Sequence, residues 1–211
     1  MCATFTFTTI VTLDYPIFSS TTPVTVTINK QNPGTFTLPA YSDPLGLPLT
    51  LTTYETGKAL LPSLASISGN TYSLTATSFS ELGTYSIDAK ICNTIPLCTT
   101  YIFFVVFTNT APAFGTPSAT SVSVSMMGTG YLTLPVYNDA ESDPITLMNT
   151  LASGGALPLF IAFTAPTFTV TPNQAYHVGS FSVTTHICDG EPACNSFTFT
   201  VTVTGTAPYF Q

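Results

Sequence analysis

Apolar and polar residues alternate along much of this chain. Between Phe197 and Val203 the apolar side chains take the odd positions (Phe197, Phe199, Val201, Val203), and threonine takes Thr198, Thr200, Thr202 and Thr204. A period of two is the mark of a strand buried on one face. The run before it alternates in the same way, with Phe181, Val183 and Ile187 on one face and Ser182, Thr184, His186 and Cys188 on the other. Asp189-Gly190 is a turn pair. The two runs therefore predict a hairpin whose short loop sets Cys188 opposite Cys194 on adjacent antiparallel strands, close enough to bridge.

This hairpin recurs. ICDGEPACNSFTFTVTVTGTAPYF, from Ile187, has an earlier copy in ICNTIPLCTTYIFFVVFTNTAPAF, from Ile91, and a third begins at Met1. Cys2, Cys98 and Cys194 lie 96 apart (98−2, 194−98), as do Pro16, Pro112 and Pro208, and Phe18, Phe114 and Phe210. A fixed long period without insertions marks a tandem array of one folding unit. The expected division is a final strand of a preceding repeat at 1–14, complete repeats at 15–110 and 111–206, and the start of another at 207–211. Each complete repeat is large enough for one β-sandwich with its own core. Alternating runs at Val24–Ile28, Thr35–Leu38, Leu49–Thr53 and Tyr72–Thr75 precede the first hairpin, and Ile145–Asn149 and Phe168–Thr171 match the last two of them. With the hairpin they make about seven strands per repeat, so the expected fold is all-β, tandem Ig-like β-sandwiches. The crossings Asp14–Phe18 and Ala111–Phe114 are short and contain proline, which predicts a stiff rod.

Composition narrows the function. The net charge is −7 with only three Lys plus Arg, which argues against nucleic acid and against anionic membrane surfaces as partners. The longest apolar run, Tyr101–Phe107, is too short to span a bilayer. Cys92 and Cys98 repeat the parity and spacing of Cys188 and Cys194, so a disulfide in each hairpin is the direct reading and the expected location is extracellular or at a cell surface. A metal site competes with that reading, but each repeat offers two thiolates, with one nearby histidine in the second and none in the first. Cys2 has no partner in its own repeat and is expected to bond a cysteine six residues upstream in a longer chain. The rival account makes residues 1–14 a donor strand for a neighbouring subunit.

The order of signals resembles the repeats of large extracellular proteins, especially the dystroglycan-type cadherin-like repeat. The residues that carry the resemblance are Pro112 and Phe114, the acidic loop DAESDPIT, Leu157-Pro158 with Phe160, Gly179 with Phe181, and Asp189-Gly190. It implies an adhesive or structural module repeated in a long surface protein. The chain departs from classical cadherins at the linker, where Thr-Asn-Thr-Ala-Pro and Thr-Gly-Thr-Ala-Pro replace the calcium-binding Asp-x-Asn-Asp-Asn.

Candidate chemistry is sparse. Asp139, Glu141 and Asp143 place carboxylates at alternate positions of one loop, with Asp189 a possible neighbour, and such oxygen ligands suit calcium. The alternative is a solvated loop with Asp139 bonding its own amides. The first repeat has Asp43 but Leu45 and Leu47 beyond it, so calcium is not expected in every repeat. His177 and His186 read as surface residues. The chain has no nucleophile elbow, phosphate loop or His-Glu-x-x-His, and catalysis is not expected. One strand breaks the pattern: in TYIFFVVF, Ile102, Phe104 and Val106 occupy the outward face where other copies have threonine. A contact with a further copy of the chain, or cover by a loop, accounts for such a stripe. The leading expectation is a structural protein forming an extracellular filament or rod through contacts between copies, and its rival is the stalk of an adhesin or receptor. A carbohydrate-binding module would need a concave site with exposed aromatic residues, which Tyr41 and Tyr137, close to the expected core, do not supply.

Overall fold

The computed structural model describes Thr4, Thr6, Thr8, residues 13–190 and residues 193–205. The expected strand at 1–14 with Cys2 lies almost wholly outside these residues, and so does 207–211. The chain divides into two compact units, Met1–Thr108 and Asn109–Gln211.

In the first unit the strands are β1 (Ile17–Phe18), β2 (Thr25–Asn29), β3 (Gly34–Thr37), β4 (Tyr41–Ser42), β5 (Leu49–Glu55), β6 (Ala65–Ser68), β7 (Thr71–Leu74), β8 (Gly83–Asn93) and β9 (Cys98–Thr108). They form a four-stranded sheet in the order β2-β9-β8-β5, a three-stranded sheet β3-β7-β6 and a short bridge β1-β4. All pairs are antiparallel except β2 with β9. The second unit repeats this with β10 (Ala113–Phe114), β11 (Ser121–Ser125), β12 (Gly130–Thr133), β13 (Tyr137–Asn138), β14 (Thr146–Leu151), β15 (Ile161–Thr164), β16 (Thr167–Val170), β17 (Gly179–Cys188) and β18 (Cys194–Thr204). Register repeats too: Thr25 faces Phe104 in the first unit, and Ser121 faces Thr200 in the second, each position moved by 96. Without the two-residue bridges each unit has seven strands.

The alternation buries one face of each hairpin. Ile87, Ala89, Ile91, Phe103, Val105 and Phe107 are almost wholly enclosed and share a cluster with Tyr72 and Leu74 of the opposite sheet. Val183, Phe199, Val201 and Val203 share a second cluster with Leu132, Phe168 and Val170. Burial of each large apolar side chain contributes about 1.5–3 kcal/mol. Thr185 occupies an inward position where the first unit has Ala89; it is fully buried, and its hydroxyl donates to Asn149 Oδ1 at 2.7 Å. A buried hydroxyl without that bond would be costly.

Glycine leaves room for a core side chain where β3 and β12 begin. A Cβ on Gly130 would lie 2.3 Å from Val124 Cγ2, and one on Gly34 would lie 2.0 Å from Ile28 Cδ1. Strand alternation did not announce β6 and β15, nor the 3-10 turns Phe79–Glu81 and Ala175–His177. β6 and β15 follow closely on the shared Leu-Pro and pair with β7 and β16 through a tight turn.

Candidate metal centre

The acidic loop leaves β13 at Asp139. Its Oδ1 accepts from the Glu141 N–H at 2.9 Å and the Asp143 N–H at 3.0 Å, an Asx-type turn that folds the loop around one carboxylate. Asp189 enters from the end of β17, just past Cys188. One ligand oxygen from each of Asp139, Asp143 and Asp189 lies within 4.8 Å of the others. The Asn109 side-chain amide donates to Asp189 Oδ2 at 2.7 Å.

This is a buried group, not the solvated loop allowed by the sequence. Asp139 is 8%, Asp143 7% and Asp189 2% exposed. Asp139 Oδ2, Asp189 Oδ1 and Asn109 Oδ1 are enclosed with no hydrogen-bond partner. Glu141 is also buried with Oε2 unpartnered, but the close triad is completed by Asp189 rather than by Glu141. The close triad thus joins Asp139 and Asp143 of the expected loop to Asp189, the neighbour the sequence had allowed for. The loop and Asp189 are far apart in the chain and are brought together by the pairing of β17 with β14.

The first unit builds the same corner around a single carboxylate. Asp43 Oδ1 accepts from the Leu45 N–H at 2.9 Å and the Leu47 N–H at 3.2 Å, as Asp139 does 96 residues later. The position of Asp189 is taken by Asn93, whose Nδ2 donates to Asp43 Oδ2 at 2.9 Å and whose Oδ1 accepts from the Ile95 and Leu97 amides. Those bonds, led by Asn93, hold the Asp43 carboxyl below its ordinary range, with burial opposing them. One amide therefore satisfies an oxygen whose counterpart in the second unit, Asp139 Oδ2, has no hydrogen-bond partner.

Charge distribution sharpens the contrast. Lys30, Lys58 and Lys90 are the three basic residues of the chain, so residues 109–211 contain no Lys or Arg. The acidic residues of that stretch are Asp139, Glu141, Asp143, Asp189 and Glu191, and the first four are buried in this corner. Ionised carboxylates taken out of water cost several kcal/mol each unless opposite charge meets them. Hard oxygen donors suit calcium or magnesium, and oxygens coordinating one calcium at 2.3–2.6 Å lie within about 5 Å of one another. The triad fits that spacing.

The remaining predicted positions fall as follows. Cys92 is bonded to Cys98 and Cys188 to Cys194, each pair directly opposite across its hairpin. Ile102 and Phe104 are 40% and 37% exposed, and Val106 is half-buried. Their neighbours across the sheet are Asp88, Ser86 and Thr84 on β8, with Thr25 and Thr27 on β2, so the stripe is apolar and its borders are polar. His186 is half-buried on β17 between Met148 and Ser196. His177 is half-buried: it stacks on Phe160 at 4.2 Å, and its Nδ1 accepts from the Asn173 N–H.

No protein-family model and no curated protein sequence matches the chain. Among solved structures it is similar to the titin domains Z1Z2, determined in complex with telethonin: 16% identity, TM-score 0.53, covering 93% of this chain and all of that one. Sidekick-1 immunoglobulin domains 1–5 match at 15% identity and TM-score 0.41 over 91% of this chain and 40% of theirs. The fold is therefore a tandem pair of Ig-like β-sandwiches. Among the described residues no helix is long and apolar enough to cross a membrane.

Proposed function

We propose that this chain is an extracellular structural protein whose Ig-like units act as building blocks, and that its second unit holds a calcium ion through Asp139, Asp143 and Asp189. The observation that carries the metal reading is the placement of charge. A unit without Lys or Arg buries four of its five acidic residues in one corner, with carboxylate oxygens left unpartnered there. Asn109 Oδ1 is a further oxygen available beside Asp189. The ion neutralises the corner and ties the acidic loop to the end of β17, so that the fold of this unit depends on it. In the first unit Asn93 supplies the positive end of a dipole where the second uses a cation.

Two hairpin disulfides support an oxidising, extracellular setting. In this reading further copies of the chain pack through Ile102, Phe104 and Val106, and many weak contacts add up along a filament or rod. Sedimentation and electron microscopy of wild-type and Phe104→Thr protein in calcium test it. Assembly that weakens in a variant of unchanged melting temperature supports the stripe as a contact. Unchanged assembly, or an unfolded variant, assigns Phe104 to its own unit. A wild-type chain that stays monomeric at high concentration favours the stalk of an adhesin or receptor.

A further inference from the structure

The second unit carries an aromatic lining that its twin lacks, at a place where the first unit has a hollow of about 490 Å³ bordered by Glu55, Lys58 and Glu81. A ladder of rings runs from the core to the surface: Phe181 meets Phe160 edge-on at 5.1 Å, Phe160 stacks on His177 at 4.2 Å, and His177 meets Tyr176 edge-on at 4.6 Å. Tyr176 is 79% exposed and Leu159 fully so. Between them lie two adjoining hollows of about 260 Å³ each, bordered by Thr171, Asn173, Gln174 and His177 as well as by the rings. No Asp, Glu, Lys or Arg lines either hollow.

The polar rim is free to bond. The Asn173 and Gln174 side-chain amides make no hydrogen bond to the protein among the described residues, and each offers both donor and acceptor atoms. His177 Nδ1 already accepts from a backbone amide, so the neutral ring carries its proton on Nε2 and donates from there. Moved by 96, the same positions in the first unit are Ser63 for Leu159, Leu64 for Phe160, Ser80 for Tyr176 and Glu81 for His177. Glu81 caps its turn by accepting from the Thr77 and Ser78 amides at 2.7 and 2.9 Å. His177 keeps part of that capping role and adds a ring, so the turn did not need the aromatic residues in order to form.

We propose that this cleft binds the neutral pyranose rings of a polysaccharide. A pyranose presents an apolar face of C–H groups and a rim of hydroxyls that both donate and accept. The exposed Tyr176 ring and Leu159 meet the first, and Asn173, Gln174 and His177 meet the second. The rim has no Asp, Glu, Lys or Arg to pair with a charged ligand, and its amides match sugar hydroxyls, which both donate and accept. The hollows are below the usual range of about 300–1,000 Å³ for drug-sized ligands, which matches one or two sugar rings. The site is independent of the calcium corner.

The test is affinity electrophoresis of the full chain through gels containing starch, barley β-glucan or galactomannan, with alginate and heparin as charged controls. At least one neutral polysaccharide should retard the wild type. Tyr176→Ser, the residue of the first unit, should abolish the retardation, and Gln174→Ala should weaken it about tenfold, both with unchanged melting temperature. If Tyr176→Ser melts early, Gln174→Ala alone decides, because its side chain bonds nothing in the fold. The proposal is overturned by no retardation in any neutral gel, by retardation in the charged gels alone, or by retardation that survives both substitutions.

Discussion

Asp189→Asn converts the acidic corner to the chemistry of its twin in a single step. Asn93 shows that an amide is accommodated at this place, buried to 6% exposure and bonded to the aspartate across from it. In the second unit the same amide should donate to Asp139 Oδ2, which has no partner in the present arrangement. Two opposite effects follow. Without calcium the variant loses one of three mutually repelling carboxylates and should be more stable than wild type. With calcium it lacks a ligand and should be less stable. A ligand present at a hundredfold excess over its dissociation constant stabilises the folded state by about 2.7 kcal/mol. Extracellular calcium modules bind at about 0.1–1 mM, so 10 mM calcium reaches that excess at the tighter end. For a unit of this size 1 kcal/mol moves the midpoint by about 4–8 °C, which makes the expected calcium shift roughly 10–20 °C for the second unit of the wild type. Scanning calorimetry of the full chain in calcium and in a chelator measures it. The shift should be confined to one transition and should vanish in Asp189→Asn. A wild type that melts alike in both buffers, or a variant that keeps the shift, refutes the reasoning.

Three other perturbations probe the scaffold. Asp43 is held below its ordinary value of 3.8. Its contribution to stability is therefore present above that value and is lost as pH falls through the depressed one; urea midpoints between pH 5 and pH 2 should fall less steeply in Asn93→Ala than in wild type. Gly130→Ala drives a Cβ against Val124, a β-branched side chain with little freedom to turn, and should cost about 1–3 kcal/mol by denaturant unfolding. Gly34→Ala should cost less, because it meets the flexible end of Ile28. Removing one hairpin disulfide as Cys92→Ser with Cys98→Ser should lower stability by about 2 kcal/mol, the value expected for a short closed loop, and leave the circular dichroism spectrum of the fold unchanged.

The parts of this fold that were legible from sequence are those governed by local period. Phe197 to Val203 announces its buried face in every second residue, and the facing cysteines follow from the parity of two such runs. The repeat of 96 then carries each assignment from one unit to the next. Sites built by long-range closure were legible only in part. Asp139 and Asp143 advertise themselves by spacing, but Asp189 joins them through the pairing of β17 with β14, and Asn109 through the entry of the chain into the second unit. The absence of Lys and Arg after residue 108 was a readable signal of an uncompensated corner. The aromatic cleft was missed because Leu159, Tyr176 and His177 sit in a loop and a 3-10 turn, where no period reports exposure. Comparison of the two repeats at those positions would have found it, since serine and glutamate there give way to rings.

The most direct test of the central claim is the calcium stoichiometry of the full chain, measured by isothermal titration after exhaustive chelation. One ion per chain, lost in Asp189→Asn and retained in Asp43→Asn, is the result predicted for a cation in the second unit and an amide in its place in the first. No binding at millimolar calcium would contradict the metal reading, and two ions per chain would contradict the division of roles between Asn93 and Asp189.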